Sequence, residues 1–350
     1  MTKPEMPKRS SLRDVALLAG VSVMTVSNVV NGKTSRVSED VRQRVRAAIA
    51  TLNYRTQLRG RSLRLARDFA IGLIVLHPER RFLNDPFSTE VAAGMSNQLA
   101  LDGYGLMVIG AQDLDDLKGK LPRISQLDAI AVFGFGERAQ RIADYQVLAD
   151  LGLPMVLVGD DLIGGLPDAS FVRQENEAGA RELARMVLDC GARHILFVRP
   201  IDVWPAMTQR ERGARAEASG RAEVETIACS ELDFVKVVEV IADRLVQAPH
   251  VDAVMGGNDQ YGIAALHAAH RIGRKVPADL AVTGFNGFAF RQFSSPLLTS
   301  MLSPAYDLGT EAARRLVARI ITGAFDPGGK VFSVTPLLGQ TVGPLHLKSA

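Results

Sequence analysis

Leu12-Arg-Asp-Val-Ala-Leu-Leu-Ala-Gly-Val-Ser-Val-Met-Thr-Val-Ser-Asn-Val-Val-Asn-Gly32 decides how the rest of this 350-residue chain is read. Ser11 stands just before it and Asp14 three residues on. A hydroxyl that accepts an orphan N–H, with an acid near the positive helix end, marks a helix start. Leu12, Val15, Ala16 and Ala19 recur at helical spacing, and Gly20 stops the run. Ser22 is an N-cap for a second, short helix, Val23–Val30, which Asn31-Gly32 ends. Ser38 caps a third, whose apolar positions are Val41, Val45, Ala48, Ile49 and Leu52. Two short helices joined by a tight glycine turn, with a third behind, describe a helix-turn-helix. In that motif the second helix enters the DNA major groove and its first residues reach base edges. The bland alternative is a small helical bundle with a basic surface.

The charge distribution favours the DNA reading. Net charge is only +3, but residues 1–67 hold fourteen Lys and Arg against four acids, a balance of +10. The remainder holds 27 bases against 34 acids, or −7. A basic head on an acidic body suggests a nucleic-acid-binding segment. Apolar content of 47% is too high for a disordered chain. The cysteines, Cys190 and Cys229, are too few for a disulfide framework or zinc finger and suit a reducing compartment. The N-terminus has charge but no apolar run behind it, and no uncharged stretch is long enough to span a membrane. A cytoplasmic protein is expected.

The stretch Leu12–Gly32 closely resembles the DNA-binding head of the lactose-repressor (LacI/GalR) family of bacterial transcription regulators. Val37-Ser38, Leu52-Asn-Tyr54 and Arg61-Ser-Leu63 continue the match in order. The resemblance implies that Val23, Met24 and Asn28 read bases. Their chemistry agrees: Asn can pair bidentately with adenine, while Val and Met can pack on a thymine methyl. Ser22, Thr25, Ser27 and Asn31 would hold phosphates, and Tyr54 would join the DNA-binding set. Capping or solvation is the plain alternative for each. Val26, Val29 and Val30 read as packing residues.

Residues 1–55 form the expected head and 56–68 the hinge. The family uses that stretch as a helix formed on DNA, with a leucine wedged into the minor groove. Leu63 matches the leucine, with Arg59, Arg61 and Arg64 beside it. Thr56, Gln57 and Gly60 depart from the family pattern, and glycine inside a helix costs roughly 1 kcal/mol relative to alanine. A hinge that is disordered without DNA and forms less readily than usual is expected. A flexible basic linker is the alternative.

From residue 69 short apolar runs alternate with amphipathic segments. Strands are expected at Ile71–Leu76, Gly105–Ile109, Ala129–Phe133, Met155–Val158, His194–Val198, Val224–Ala228, Ala253–Met255 and Leu280–Thr283. Helices between them, such as Ser88–Leu101 and Phe234–Gln247, imply parallel sheets covered on both faces. About nine strands in this length point to two doubly wound α/β subdomains. The resemblance implies a periplasmic-binding-protein-like core. Its expected N-subdomain is about 69–170 plus 301–330 and its C-subdomain about 171–300 plus 331–350, with ligand between them.

In open α/β sheets ligands sit beyond the carboxyl ends of strands. Asp160, Asn258, Asp259 and Asn286 fall there, as do Asp85, Phe87 and Ser88 after the first strand. Arg210 matches the arginine that anchors effector in many family members. An arginine fork suits a carboxylate or vicinal hydroxyls. Trp204 could stack on a ligand ring, or serve lobe packing. Asn258-Asp259 also reads as a helix cap. Many sugar-binding members carry an acid where this chain has Gly284-Phe-Asn286-Gly287. An amide there permits an anionic effector, and Gly284–Pro304 looks most like the gluconate-repressor branch. A sugar acid is the first expected effector and a neutral sugar the second.

Two rival classes remain. Gly134-Phe-Gly136-Glu-Arg-Ala139 imitates a dinucleotide fingerprint, with Asp160 and Asp161 beyond it, as in an NAD-binding oxidoreductase. A solute receptor without DNA function is the other. His267 and His270 lack the further ligands of a zinc site. The expectation is a non-enzymatic, effector-controlled repressor, a homodimer on a pseudo-palindromic operator, without cofactor or metal. The tail after Leu338 shows no leucine heptads for a tetramerising coil.

Overall fold

The structure is a computed structural model that describes residues 10–30, 32–33, 35, 37–54, 67–163, 165–201, 204–230 and 233–345. Its contacts separate the chain into two compact units, Met1–Asp68 and Phe69–Ala350. The hinge positions 56–66, with Arg61 and Leu63, and also Asn31, lie outside the described residues.

In the first unit α1 spans Leu12–Ala19, α2 Val23–Val30 and α3 Glu39–Thr51. Ser11 and Asp14 form a reciprocal capping box. Gly20 adopts a left-handed conformation, φ 64°, and its N–H closes onto the carbonyls of Ala16 and Leu17. That conformation is cheap only for glycine, and it sets α1 and α2 at 106°, within the helix-turn-helix range. Ser22 caps α2: its Oγ accepts the Thr25 N–H at 3.1 Å. Ser38 holds the N-cap position of α3, but its side chain makes no capping bond, contrary to the expected role. Val15, Ala16, Ala19, Val26, Val45, Ala48 and Tyr54 bury the core of this unit.

The second unit holds twelve strands and eight helices among the described residues. The first lobe runs β1 (Ala70–Leu76), α4 (Pro86–Leu101), β2 (Gly105–Ala111), α5 (Leu114–Ile124), β3 (Ala129–Phe133), α6 (Arg138–Ala149), β4 (Met155–Val158) and β5 (Ala169–Gln174). The chain then crosses to α7 (Asn176–Asp189), β6 (His194–Pro200), α8 (Pro205–Ala218), β7 (Glu223–Cys229), α9 (Phe234–Gln247), β8 (Ala253–Gly256), α10 (Asp259–Arg271) and β9 (Ala281–Thr283). It returns through β10 (Ser300–Leu302), α11 (Ala305–Thr322), β11 (Lys330–Phe332) and β12 (Thr335–Leu337).

The first sheet has the order β11-β5-β4-β3-β1-β2 and the second β7-β6-β8-β9. Every pairing in both is parallel. Parallel strands covered on both faces need continuous apolar runs, and Ile71–Leu76 is buried at every position. Separate apolar clusters lie on the two faces of each sheet. In the first lobe α4 and α11 touch backbone to backbone. A Cβ on Gly94 would lie 2.0 Å from the Tyr306 carbonyl oxygen, and one on Gly309 2.0 Å from that of Val91.

Both sheets wind outward from an interior strand, so each has a switch point, between β1 and β3 and between β6 and β8. Val75 pairs with Phe133, and Val198 with Gly256, so the carboxyl ends at each switch point are level. Ligands of such sheets bind beyond those ends. The expected subdomain limits at residues 170 and 330 fall within or beside paired strands. Sheet membership carries the first lobe through Gln174 and adds Lys330–Phe332 at its edge. β5 escaped the apolar-run reading because Ser170, Arg173 and Gln174 break its pattern. β10, β11 and β12 span three residues each, too short for a periodicity to register. Among the described residues no single helix is long and apolar enough to cross a membrane.

Candidate functional site

The head offers one exposed reading face. Val23 is 41% and Met24 70% exposed at the start of α2, and Ser22 beside them is exposed too. Thr25, Ser27 and Asn28 are half-buried, and the Thr25 hydroxyl lies 2.9 Å from that of Ser22. Val26, fully buried, fixes the opposite face of the helix in the core. Tyr54, expected in the DNA-binding set, lies at the edge of the helical core. It is 8% exposed and packs with Val15, Val45 and Ala48, because the chain after α3 folds its ring back over the helices.

The second site lies in the cleft between the lobes of the core. The loops leaving β1, β3, β6 and β8 bring His77, Phe135, Trp204 and Asn258 to its walls. Two adjoining chambers share His77, Asp85, Trp204 and Asn258. The inner one, about 70 Å³, is also lined by Phe87, Phe133, Gln174, Asn176, Arg210 and Asn286. The outer one, about 370 Å³, adds Glu79, Arg81, Phe82, Gln260, Phe288 and Phe290. A cleft of this volume with aromatic walls and few convergent polar groups is a small-molecule site.

Arg210 stands at the floor of the inner chamber, 2% exposed. Its Nε donates to Asn176 Oδ1 at 3.0 Å, Nη1 to the Gly257 carbonyl at 2.6 Å and Nη2 to Asn286 Oδ1 at 2.8 Å. The guanidinium also lies 3.8 Å from the centre of the Phe285 ring. These bonds pre-set the planar fork, so little side-chain freedom is lost when it meets a ligand. Asn286 holds its amide there at φ 101°, with its backbone N–H on the Met301 carbonyl.

Trp204 precedes α8. Its ring centre is 5.1 Å from His77, 4.9 Å from Phe133 and 4.9 Å from Phe135, the last edge-on. Phe87 stacks on Phe133 at 5.5 Å. A tryptophan from the second lobe thus packs into an aromatic group of the first, so packing and cavity lining are combined. The Asp85 carboxylate caps α4, accepting the N–H groups of Phe87 and Ser88, and it still faces both chambers.

Three expected effector residues do not line the cleft. Ser88 is 1% exposed and donates its hydroxyl to Asp85 at 2.7 Å. Asp160 binds Arg141 Nε at 2.7 Å and the Tyr145 hydroxyl at 3.1 Å. Tyr145 belongs to the opposite face of the first sheet, and burial, joined by the charge of this carboxylate, pushes its phenol well above the usual value. Asp259 is fully buried behind the cleft wall, where it accepts the Phe288 N–H at 2.7 Å and the Ser300 hydroxyl at 2.5 Å. Burial pushes its pKa up to about 6, while the two hydrogen bonds and the charges of Arg210 and Arg291 pull it down. Conversely, His77, Phe133, Gln174 and Asn176 were not singled out by sequence. His77 follows the switch-point strand, which is the signal that could have found it. Gln174 and Asn176 flank the lobe crossing and became meaningful only with β5.

The dinucleotide fingerprint has a packing explanation. A Cβ on Gly134 would lie 1.8 Å from the Tyr145 hydroxyl, so this glycine makes room for a buried ring. Asp160, the ribose-binding acid on that reading, is held by Arg141 instead. His267 sets its ring edge-on to Phe234 at 5.5 Å.

Comparison with known proteins agrees with both the head and the core. Residues 11–57 match the family described as bacterial regulatory proteins, lacI family, and residues 184–342 a periplasmic binding protein-like domain. The ribose operon repressor of Bacillus subtilis (strain 168) is 31% identical over 313 residues, covering 89% of this chain and 92% of its own. The HTH-type transcriptional regulator CelR of Thermobifida fusca is 29% identical over 331 residues, covering 92% and 95%. A solved CelR–cellobiose complex superposes with a TM-score of 0.69 at 26% identity, covering 95% of this chain and 100% of that one. The lac repressor dimer bound to operator and an anti-inducer gives 0.79 at 20% identity, covering 96% and 100%, a likeness of fold. These relatives are transcriptional regulators, not enzymes. A helix-turn-helix head with an exposed reading helix, followed by a two-lobed parallel α/β core around a polar cleft, places this chain in the LacI family of DNA-binding bacterial transcriptional regulators.

Proposed function

We propose that the protein is a cytoplasmic, dimeric repressor of carbohydrate-catabolism genes, released from its operator by a sugar acid bound between the core lobes. Relatives named for ribose and cellobiose support a sugar effector. One observation carries the acid. Arg210 is presented to the inner chamber by side-chain amides, Asn176 and Asn286, while Asp160 and Asp259 are turned from the cleft and engaged elsewhere. An arginine fork on such a floor pairs with a carboxylate. Gluconate is the first candidate. A neutral sugar is the second reading, favoured by Asp85, whose carboxylate faces both chambers and could accept hydroxyl donors.

Two heads meet the halves of a pseudo-palindrome. Val23, Met24 and Asn28 read bases, and Ser22, Thr25, Ser27 and Asn31 hold phosphates. Arg61 and Leu63 serve the minor groove. Effector acts because it prefers one lobe arrangement over the other. The Arg210→Ala variant tests the pocket. Its affinity for gluconate, measured by calorimetry, falls at least a hundredfold, while operator binding in a gel shift without effector persists. Loss of that operator binding would overturn the assignment.

A further inference from the structure

We propose that Ser303 is a positioning residue that couples the effector anchor Arg210 to the crossings between the core lobes, a role that rests on the effector site proposed above.

The chain passes between the lobes at three places: residues 174–176, joining β5 to α7, residues 302–305, joining β10 to α11, and residues 332–335, joining β11 to β12. The first and third are held together by backbone, the Glu175 N–H donating to the Phe332 carbonyl at 2.9 Å. The second is held to the first by a side chain: the Ser303 hydroxyl donates to Gln174 Oε1.

That bond closes a ring. Gln174 Nε2 donates to Asn176 Oδ1 at 2.9 Å, the same oxygen that accepts Arg210 Nε at 3.0 Å. Arg210 Nη2 donates to Asn286 Oδ1 at 2.8 Å, and the Asn286 carbonyl accepts the Ser303 N–H at 3.0 Å. All five residues are buried. A guanidinium can only donate, so Asn176 and Asn286 must each turn an oxygen to it. Gln174 must then turn its NH2 to Asn176 and its oxygen to Ser303. The arginine thus fixes the direction of the amides, and in a buried network a broken bond leaves both partners unsatisfied. A guanidinium drawn toward an anion pulls on both asparagines, and the pull reaches both crossings through Gln174 and Ser303. Ser303 does not line either chamber, so this role is separable from binding.

The test uses full-length protein, with gluconate as the probe and the ratio of operator affinities without and with it as the readout. Ser303→Ala is expected to bind gluconate within threefold of the parent in calorimetry. Its operator ratio should fall about fivefold, the worth of one buried hydrogen bond. Ser303→Thr, which keeps the hydroxyl, is expected to retain the parent ratio. An unchanged ratio in Ser303→Ala overturns the coupling role, and so does a loss of gluconate affinity that accounts for the whole change. A parent protein that does not respond to gluconate overturns the sugar-acid reading instead. The ring is then judged by hydrogen exchange on the protein alone: Arg210→Ala should speed exchange of the Ser303 N–H at least tenfold, with the amides of α9 unchanged. Equal exchange at Ser303 in parent and variant overturns the coupling whatever the effector.

Discussion

The reading helix and the interlobe cleft are both recognition surfaces, yet they are built in opposite ways. The residues assigned to base and phosphate reading on α2 lie within Ser22–Asn31, and Val23 and Met24 are exposed. The cleft draws Asp85, Trp204, Arg210, Asn258 and Asn286 from loops and helices spread over some two hundred residues, all buried or half-buried. The difference follows from the partner. A duplex brings its own large, ordered, charged surface, so a projecting helix suffices. A small molecule must be enclosed before a few polar groups can hold it. Enclosure also explains why acids in the core behave differently from those on a surface. Asp160 is held as an ion pair away from the cleft, and Asp259 as a buried clamp behind it.

Three experiments break or sharpen this contrast. The largest effect is expected at Asp160. Removing it in Asp160→Ala leaves Arg141 buried without that carboxylate, at a cost of about 3–5 kcal/mol in urea unfolding. Effector affinity of the folded protein should stay within twofold. A specific loss of affinity would return Asp160 to the cleft.

Next comes the pH dependence of Asp259. Its folded pKa, about 6, lies above the usual 3.8, so the folded state holds this proton more tightly than the unfolded chain. Its contribution to stability is fully present below about 3.8 and is lost as pH rises through about 6. The change amounts to about 3 kcal/mol, from the size of the shift. Asp259→Asn should flatten that part of the stability curve. An unaltered slope in the variant would assign the titration to another group.

The smallest effect is at the head. Asn28→Ala should cost about 1–3 kcal/mol in discrimination between operator and altered sequences, with the effector-induced thermal shift retained. Equal loss on all sequences would move Asn28 from base reading to phosphate contact.

What could be read in advance follows the same division. Ser11, Asp14, Gly20 and Ser22 act on neighbours within a few residues, so the helix-turn-helix was legible in a line of sequence. Long apolar runs such as Ile71–Leu76 and Ala129–Phe133 announced buried parallel strands for a similar reason. Position beyond a strand end found Asn258 and Asn286 but could not say which way a side chain points. Asp160 follows β4 as expected, and Arg141 and Tyr145, from a helix on the other face, turn it away. Tyr54 matched a DNA-binding position, and only the packing of three helices showed that its ring is buried.

Local sequence by itself determined the caps of the first two helices, the charged head and the alternation of the long strands and helices, because those depend on interactions a few residues apart. The tertiary structure alone decided that both sheets switch direction beside the cleft and that His77 meets Trp204 there. It also decided that Arg210 is aimed by Asn176 and Asn286. Such contacts join residues up to more than a hundred positions apart. Their free energy appears only once the lobes exclude water and fix which groups can still find a partner.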